Sequence, residues 1–385
     1  MKGPSTTAVH GAGPRGPGLA GDVERSATFR LDAAGLADVE ATGGVNTWYY
    51  SRLANPTVAR AATAVAALEG AEDALLFASG MAAIESALTT LVPPGGRLVA
   101  AAELYGDTIA LLRGEWSAAG RQVAYVDASD HAGLTVALDG ADALLVEAVS
   151  NPMLRVADLP SLAALARRAG ALALVDATFA SPFNVQPLAH GFDLVLHSAT
   201  KYLNGHTDLV AGAVAGSTAI VERLRPAAAL RGATLDPGAA FLLERGMKTL
   251  AVRMQRHNVN GLTVASWLAG RDDVAAVAYP LLPTHPDEAL ARALLRGAGG
   301  LVTVTLRGDP DRGRRVLGRL ELIAHAASLG GVESLACLPR VTSHAALSPE
   351  ELDRQGILST TIRLSLGIED AEDLIADLDR ALEGD

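Results

Sequence analysis

The chain has 385 residues, with 43 acidic against 32 basic side chains and a formal charge of −11. Hydrophobic residues make up 49% and charged residues 19%, which excludes a disordered chain, and the acidic balance argues against nucleic acid as a partner. Cys337 is the single cysteine, so an intrachain disulfide and a multi-cysteine metal site are excluded and no metal is expected. The start lacks an apolar h-region, and no apolar run approaches the ~20 residues of a membrane span. The expectation is a soluble, cytoplasmic protein.

In chain order, residues 1–30 are rich in Gly and Pro and read as an irregular arm. The arm extends to about residue 60 and includes the aromatic cluster Trp48-Tyr49-Tyr50. Helices are predicted over 58–68, from Ser79-Gly80-Met81 through Leu91, over 107–119 and over 159–169. Short apolar strands are predicted at 74–77, 97–101, 122–126, 143–147, 171–175, 194–197 and 209–215. Such runs between amphipathic helices indicate a mainly parallel sheet covered on both faces. A long helix is predicted over 236–256, and the texture then changes. Strands at 274–279, 300–306 and 362–366 and helices at 288–295, 311–320 and 370–382 suggest a smaller α+β unit. The expected division is an arm at 1–60, a large sheet domain at 61–245 and a C-terminal α+β domain at 246–385.

Only Lys2, Lys201 and Lys248 are lysines, and the other 29 basic residues are arginines. In such a chain a lysine in a core-like segment is needed for its amine. Lys201 follows an apolar strand in Asp193-Leu-Val-Leu-His-Ser198-Ala-Thr200-Lys201. Ligand chemistry in open α/β sheets collects beyond strand carboxyl ends. A desolvated lysine there can form a Schiff base, with Ser198 and Thr200 on a phosphate of the same ligand. Alone, it reads equally as half of an ion pair. Asp176, ending the strand before Ala177-Thr178-Phe179, either pairs with a protonated ring nitrogen or caps a helix. Gly80 and Met81 open a helix and offer free backbone N–H groups to a phosphate.

These pieces form an ordered set. Tyr50-Ser51-Arg52-Leu-Ala-Asn55-Pro56, Ser79-Gly80-Met81, Leu104-Tyr105-Gly106, Ser150-Asn151-Pro152, Val175-Asp176-Ala177-Thr178, the Lys201 segment, Ser328-Leu-Gly-Gly331 and Ile362-Arg363-Leu-Ser-Leu-Gly367 follow one another. Across nearly the whole chain this set resembles the Cys/Met-metabolism family of fold-type I pyridoxal phosphate (PLP) enzymes. The family includes cystathionine γ-lyase, cystathionine γ-synthase and methionine γ-lyase. The resemblance implies an aspartate-aminotransferase-like α/β fold with a large, mainly parallel seven-stranded sheet and PLP as cofactor. It implies that Lys201 binds PLP and shuttles protons, that Asp176 pairs with the pyridine nitrogen and that Tyr105 stacks on the ring. Gly80, Met81, Thr178, Ser198 and Thr200 would line the cofactor site, and Tyr50 and Arg52 would reach the phosphate of a neighbouring subunit. The protein would then be a dimer with shared active sites, paired into a tetramer. Asn151, Ser328 and Arg363 would bind the substrate amino acid, Arg363 by a bidentate pair to its carboxylate.

His10, His206 and His344 also fall at family-like positions, where structural hydrogen bonding is the commoner role. One departure touches the substrate pocket. Methionine γ-lyases carry Cys after Tyr-Gly, and here Asp107 stands in that place. Asp107 either faces the distal end of an amine-bearing substrate or caps the following helix. The implied activity is γ-elimination on a sulfur-containing or other γ-substituted L-amino acid, as in cystathionine γ-lyase. The alternatives are γ-replacement on an O-acylhomoserine, a specialised γ-lyase expelling a non-sulfur group, and a non-catalytic PLP-fold binding protein.

Overall fold

The computed structural model describes residues 2–13, 18–43 and 47–383. Seven strands form the first sheet: β1 (Asp73–Phe77), β2 (Arg97–Ala101), β3 (Gln122–Val126), β4 (Ala143–Glu147), β5 (Leu172–Asp176), β6 (Leu194–Ser198) and β7 (Gly212–Gly216). Their order is β1-β7-β6-β5-β4-β2-β3. The neighbours from β3 to β6 pair in parallel, whereas β7 runs against both β6 and β1. The carboxyl ends of β1, β2, β4, β5 and β6 therefore share one edge. The strands are apolar along their length because helices pack on the sheet, among them Pro56–Glu69, Gly80–Leu91 and Leu159–Ala169.

Local signals place these helices. Asn55 caps Pro56–Glu69 by accepting from the N–H groups of Thr57 and Val58, and left-handed Gly70 ends it. Ser79 caps Gly80–Leu91 through the N–H of Ala82 at 3.1 Å. Strand β7 passes so close to this cap that a Cβ on Gly212 would lie 2.0 Å from the Ser79 carbonyl oxygen. Only glycine lets the reversed strand lie there.

The second sheet has the order β10-β11-β12-β9-β8. Its strands are β8 (Val274–Ala278), β9 (Leu301–Leu306), β10 (Ala324–His325), β11 (Leu335–Cys337) and β12 (Thr361–Ser365). Val264 and Leu268 of helix Leu250–Ala269 and Leu374 and Leu378 of helix Ala371–Glu383 join Val302, Val304, Ile362 and Leu364 in a second core.

Two expectations need correction. The segment read as an irregular arm contains the helix Pro4–His10, which packs against helices Pro56–Glu69 and Leu250–Ala269. Residues 1 and 14–17 of that segment, and 44–46 of the longer arm, lie outside the described residues. The single helix expected over 236–256 is two, Pro237–Met247 and Leu250–Ala269. The break is fixed by the buried Arg253, which donates to the carbonyls of Gly246 at 2.9 Å and Tyr202 at 2.8 Å. These carbonyl bonds hold the start of the second helix against the residue that follows Lys201. The seven-stranded sheet is mainly parallel, as expected, with β7 reversed near one edge. Among the described residues, no helix is long and apolar enough to cross a membrane.

Candidate active site

The shared carboxyl edge of the first sheet gathers the polar residues that follow its apolar strands. Asp176 ends β5 and lies directly beside Glu147, the last residue of β4. Thr178 N–H donates to Asp176 Oδ1 at 2.8 Å, and Thr178 Oγ1 accepts from the N–H of Ser198 at the end of β6, also at 2.8 Å. Thr178 thus orients Asp176 and ties it to the turn that carries Lys201. Burial raises the Asp176 carboxyl above its ordinary value, against the opposing pull of the Thr178 hydrogen bonds. Burial, and then the Asp176 charge, push Glu147 well above the usual carboxylate range. No basic side chain forms a salt bridge with this pair among the described residues, so a cationic N–H is the group it lacks.

Lys201 Nζ donates to Ser328 Oγ at 2.6 Å. Burial, and then the nearby Arg363 charge, lower the amine from 10.5 to about 8. Ser328 comes from the second unit, in a backbone with φ +107°. It is delivered by a turn whose Gly330 sits where a Cβ would lie 2.8 Å from the Tyr202 nitrogen. Arg363, at 4% exposure on β12, donates from Nη1 to Asn151 Oδ1 at 3.0 Å and from Nη2 to the Ser328 carbonyl at 3.1 Å. Its Nε is buried without a partner. A buried guanidinium held only by neutral acceptors is costly, and a bidentate carboxylate is the partner that satisfies it.

Tyr105 follows β2. Its N–H donates to Glu147 Oε1 at 2.6 Å, and Asn151 N–H donates to Glu147 Oε2 at 3.2 Å. Glu147 therefore clamps two site loops through their backbones. Sequence reading missed this role; its only trace was a glutamate closing an apolar strand. The Tyr105 hydroxyl donates to Asp107 Oδ2 at 2.8 Å. Burial and this bond raise the phenol to about 12. Asp107 is not a helix cap: the cap position of Gly106–Leu111 is Tyr105, and no side chain bonds the first-turn N–H groups.

Gly80 and Met81 open their helix beside Ser198, and a Cβ on Gly80 would lie 2.9 Å from Ser198 Cβ and 3.1 Å from its Oγ. The first helical N–H groups and a serine hydroxyl thus face one small space, which suits a phosphate. The Thr200 hydroxyl donates to the Ala211 carbonyl at 3.2 Å and accepts from the Ala211 N–H at 2.9 Å. Tyr50 and Arg52 lie apart from this group. Arg52 donates to the Ala229 carbonyl at 2.6 Å, and its guanidinium sits 5.4 Å from the centre of the Tyr50 ring, which is exposed. His344 is buried with Nδ1 2.9 Å from Ser343 Oγ, and burial and Arg363 push it down to about 4. His206 bonds the Asn204 carbonyl at 2.8 Å, and His10 ends its short helix on the surface.

These residues fit PLP. The helix start and Ser198 suit its phosphate, the Asp176–Glu147 pair its protonated ring nitrogen, and the depressed amine of Lys201 its aldehyde. Comparison with known proteins agrees. Residues 12–383 match the Cys/Met metabolism PLP-dependent enzyme family. The chain is 39% identical to the L-methionine gamma-lyase of Pseudomonas putida, covering 100% of this chain and 98% of that one. It superposes on the cystathionine gamma synthase of Xanthomonas oryzae pv. oryzae in complex with aminoacrylate and cysteine, with TM-score 0.94, 35% identity and coverage of 100% and 98%. For the cystathionine gamma-lyase of Lactobacillus plantarum complexed with L-serine the values are 0.93, 33%, 100% and 99%.

The depressed amine is measurable without any substrate. In the cofactor-free chain, reductive methylation of Lys201, followed peptide by peptide across a pH series, is expected to reach half its maximal rate near pH 8, because the amine is protonated and inert below that value. A midpoint at the ordinary lysine value of 10.5 would contradict the desolvated, Arg363-flanked setting.

Proposed function

Since the chain belongs to the Cys/Met metabolism family of PLP-dependent enzymes, we propose that it catalyses γ-elimination on an L-amino acid with a sulfur or other leaving group at Cγ, in the manner of a cystathionine γ-lyase. The observation that carries this reading is the Lys201 amine, lowered to about 8, hydrogen-bonded to Ser328 and flanked by Arg363. PLP, when bound, supplies an electron sink for charge developing at the substrate α-carbon.

The rest is done by the chain. Asp176, oriented by Thr178, would hold the proton on the cofactor ring nitrogen. Gly80, Met81, Ser198 and Thr200 would hold the phosphate, although the Thr200 hydroxyl donates to the Ala211 carbonyl and would have to release it to donate there. Arg363 takes the substrate α-carboxylate with Asn151 and the Ser328 carbonyl fixing the plane of its guanidinium. The substrate is thereby pinned at one end, with its α-hydrogen beside Lys201. A neutral amine near pH 8 would accept that proton at Nζ and, only once it has released it and is neutral again, could take the Cβ proton in turn. Ser328 keeps Nζ in place between transfers. Tyr105 would stack on the cofactor ring, and its phenol stays protonated at neutral pH. This makes it a donor, or a positioning group, at the leaving-group side.

The same residues serve γ-replacement, and the resemblance to the Xanthomonas oryzae cystathionine gamma synthase favours that second reading. The acceptor decides between them. With the holoenzyme and cystathionine or methionine, release of 2-oxobutanoate in the absence of any thiol is expected, and Lys201→Ala should lower it by about 10³-fold or more. Turnover only when a thiol is added, with a thioether as product and an O-acylhomoserine as substrate, would instead establish replacement.

The outward placement of Tyr50 and Arg52, with no bond to Lys201, Ser198 or Asp176, supports a site completed by a second copy of the chain, and two such dimers would form a tetramer. An Arg52→Ala chain mixed with a Lys201→Ala chain should then regain activity, since one site of each hybrid dimer has both residues. Silence after demonstrated subunit exchange would refute the shared site.

A further inference from the structure

Arg363 marks the end of the site where the α-carboxylate belongs, and Lys201 marks its centre. Asp107 lies in the first turn of the helix Gly106–Leu111, directly after Tyr105, and is bonded to its hydroxyl. Its carboxylate accepts the Tyr105 hydroxyl at 2.8 Å and is otherwise exposed. Among the described residues no basic side chain forms a salt bridge with it. The nearest arginine along the helix, Arg113, is engaged by Glu351 at 2.7 Å and lies 5.6 Å from the centre of the Tyr125 ring. Nor does Asp107 sit on a loose loop. Tyr105 is pinned by Glu147, and Gly106 is pressed against the next chain segment, where a Cβ would lie 2.2 Å from the Ser343 carbonyl oxygen. A fixed carboxylate with no basic partner among the described residues, bonded to the hydroxyl of Tyr105, sets the sign of the charge that this side of the site accepts.

We propose that Asp107 selects the far end of the substrate, favouring an L-amino acid whose γ-substituent ends in a cationic ammonium or guanidinium group and disfavouring one that ends in a carboxylate or phosphate. The inference rests on the reading of the site as one for γ-substituted L-amino acids, whichever of elimination or replacement follows. Opposite unit charges a few ångströms apart in a half-wet pocket yield about a tenfold preference, and like charges about a tenfold penalty. The bond to Tyr105 gives Asp107 a second task, because it fixes the phenol. The two tasks are separable: Asp107→Asn removes the charge but keeps an oxygen that accepts the Tyr105 hydroxyl.

Three γ-thioethers of similar length test the charge alone: S-(2-aminoethyl)-, S-propyl- and S-(carboxymethyl)-L-homocysteine. Their affinities for the holoenzyme are measured by titration calorimetry, and 2-oxobutanoate is followed in parallel. The wild type should bind them in the order cationic, neutral, anionic, with the extremes about 10- to 100-fold apart. In Asp107→Asn that ratio should collapse to within about threefold, while the affinity for the neutral compound moves little. A ratio unchanged by Asp107→Asn, or a wild type without cationic preference, overturns the proposal. Charge-ordered binding without 2-oxobutanoate leaves Asp107's selection standing and removes the elimination reading.

Discussion

Arg363 is a buried cation to which no carboxylate among the described residues is bound. Asn151 and the Ser328 carbonyl occupy two of its nitrogens, while Nε faces no acceptor. Burying a guanidinium on these terms is unfavourable until an anion arrives. The rest of the site is arranged around that unsatisfied charge. It lies on a central strand of the second sheet, rigidly paired to β9 and β11. Its field also helps to strip the proton from Lys201 and to keep His344 neutral. On the proposed reading, one residue would both recruit the carboxylate and prepare the base.

The two units meet where this works. Arg363 comes from the second sheet and Ser328 from the loop between its strands β10 and β11, and Lys201, Asp176 and Asn151 from loops and strand ends of the first. The junction is held by buried hydrogen bonds as well as by the partly exposed ion pairs Arg155–Asp287 at 2.6 Å and Arg113–Glu351 at 2.7 Å. Arg253 grips the carbonyls of Tyr202 and Gly246, the Tyr202 hydroxyl accepts the N–H of Gly300 at 3.1 Å, and the Ser328–Gly331 turn abuts the Lys201 carbonyl carbon. Hydrogen bonds among buried groups specify position sharply, because each one left unmade is costly. Glu147 plays the corresponding part within the first sheet, where one carboxylate fixes the loops of Tyr105 and Asn151.

Much of this was legible in the sequence because it depends on local pattern. Lys201, Asp176 and Glu147 each close a short apolar run, so their place at strand carboxyl ends follows from periodicity and chain direction. The family motifs added Arg363, Asn151 and Ser328, which no local pattern would have singled out. What escaped reading depends on distant partners. The reversal of β7 is imposed by its pairing with β1, and the two-residue β10 and three-residue β11 are too short to show a period. The helix break at Lys248-Thr249 is set by Arg253 reaching back to Gly246 and across to Tyr202, although the apolar pattern continues through it. The bond between Tyr105 and Asp107 depends on a side-chain direction, so Asp107 could equally have been a cap.

Carboxylate capture by Arg363 is the claim on which the account stands. It is tested most directly by comparing the affinity of the holoenzyme for an amino acid with that for its carboxamide, in the wild type and in Arg363→Leu. The account predicts that the wild type binds the carboxylate about tenfold or more tightly than the amide, and that Arg363→Leu erases the difference. A carboxylate preference that survives in Arg363→Leu would contradict it.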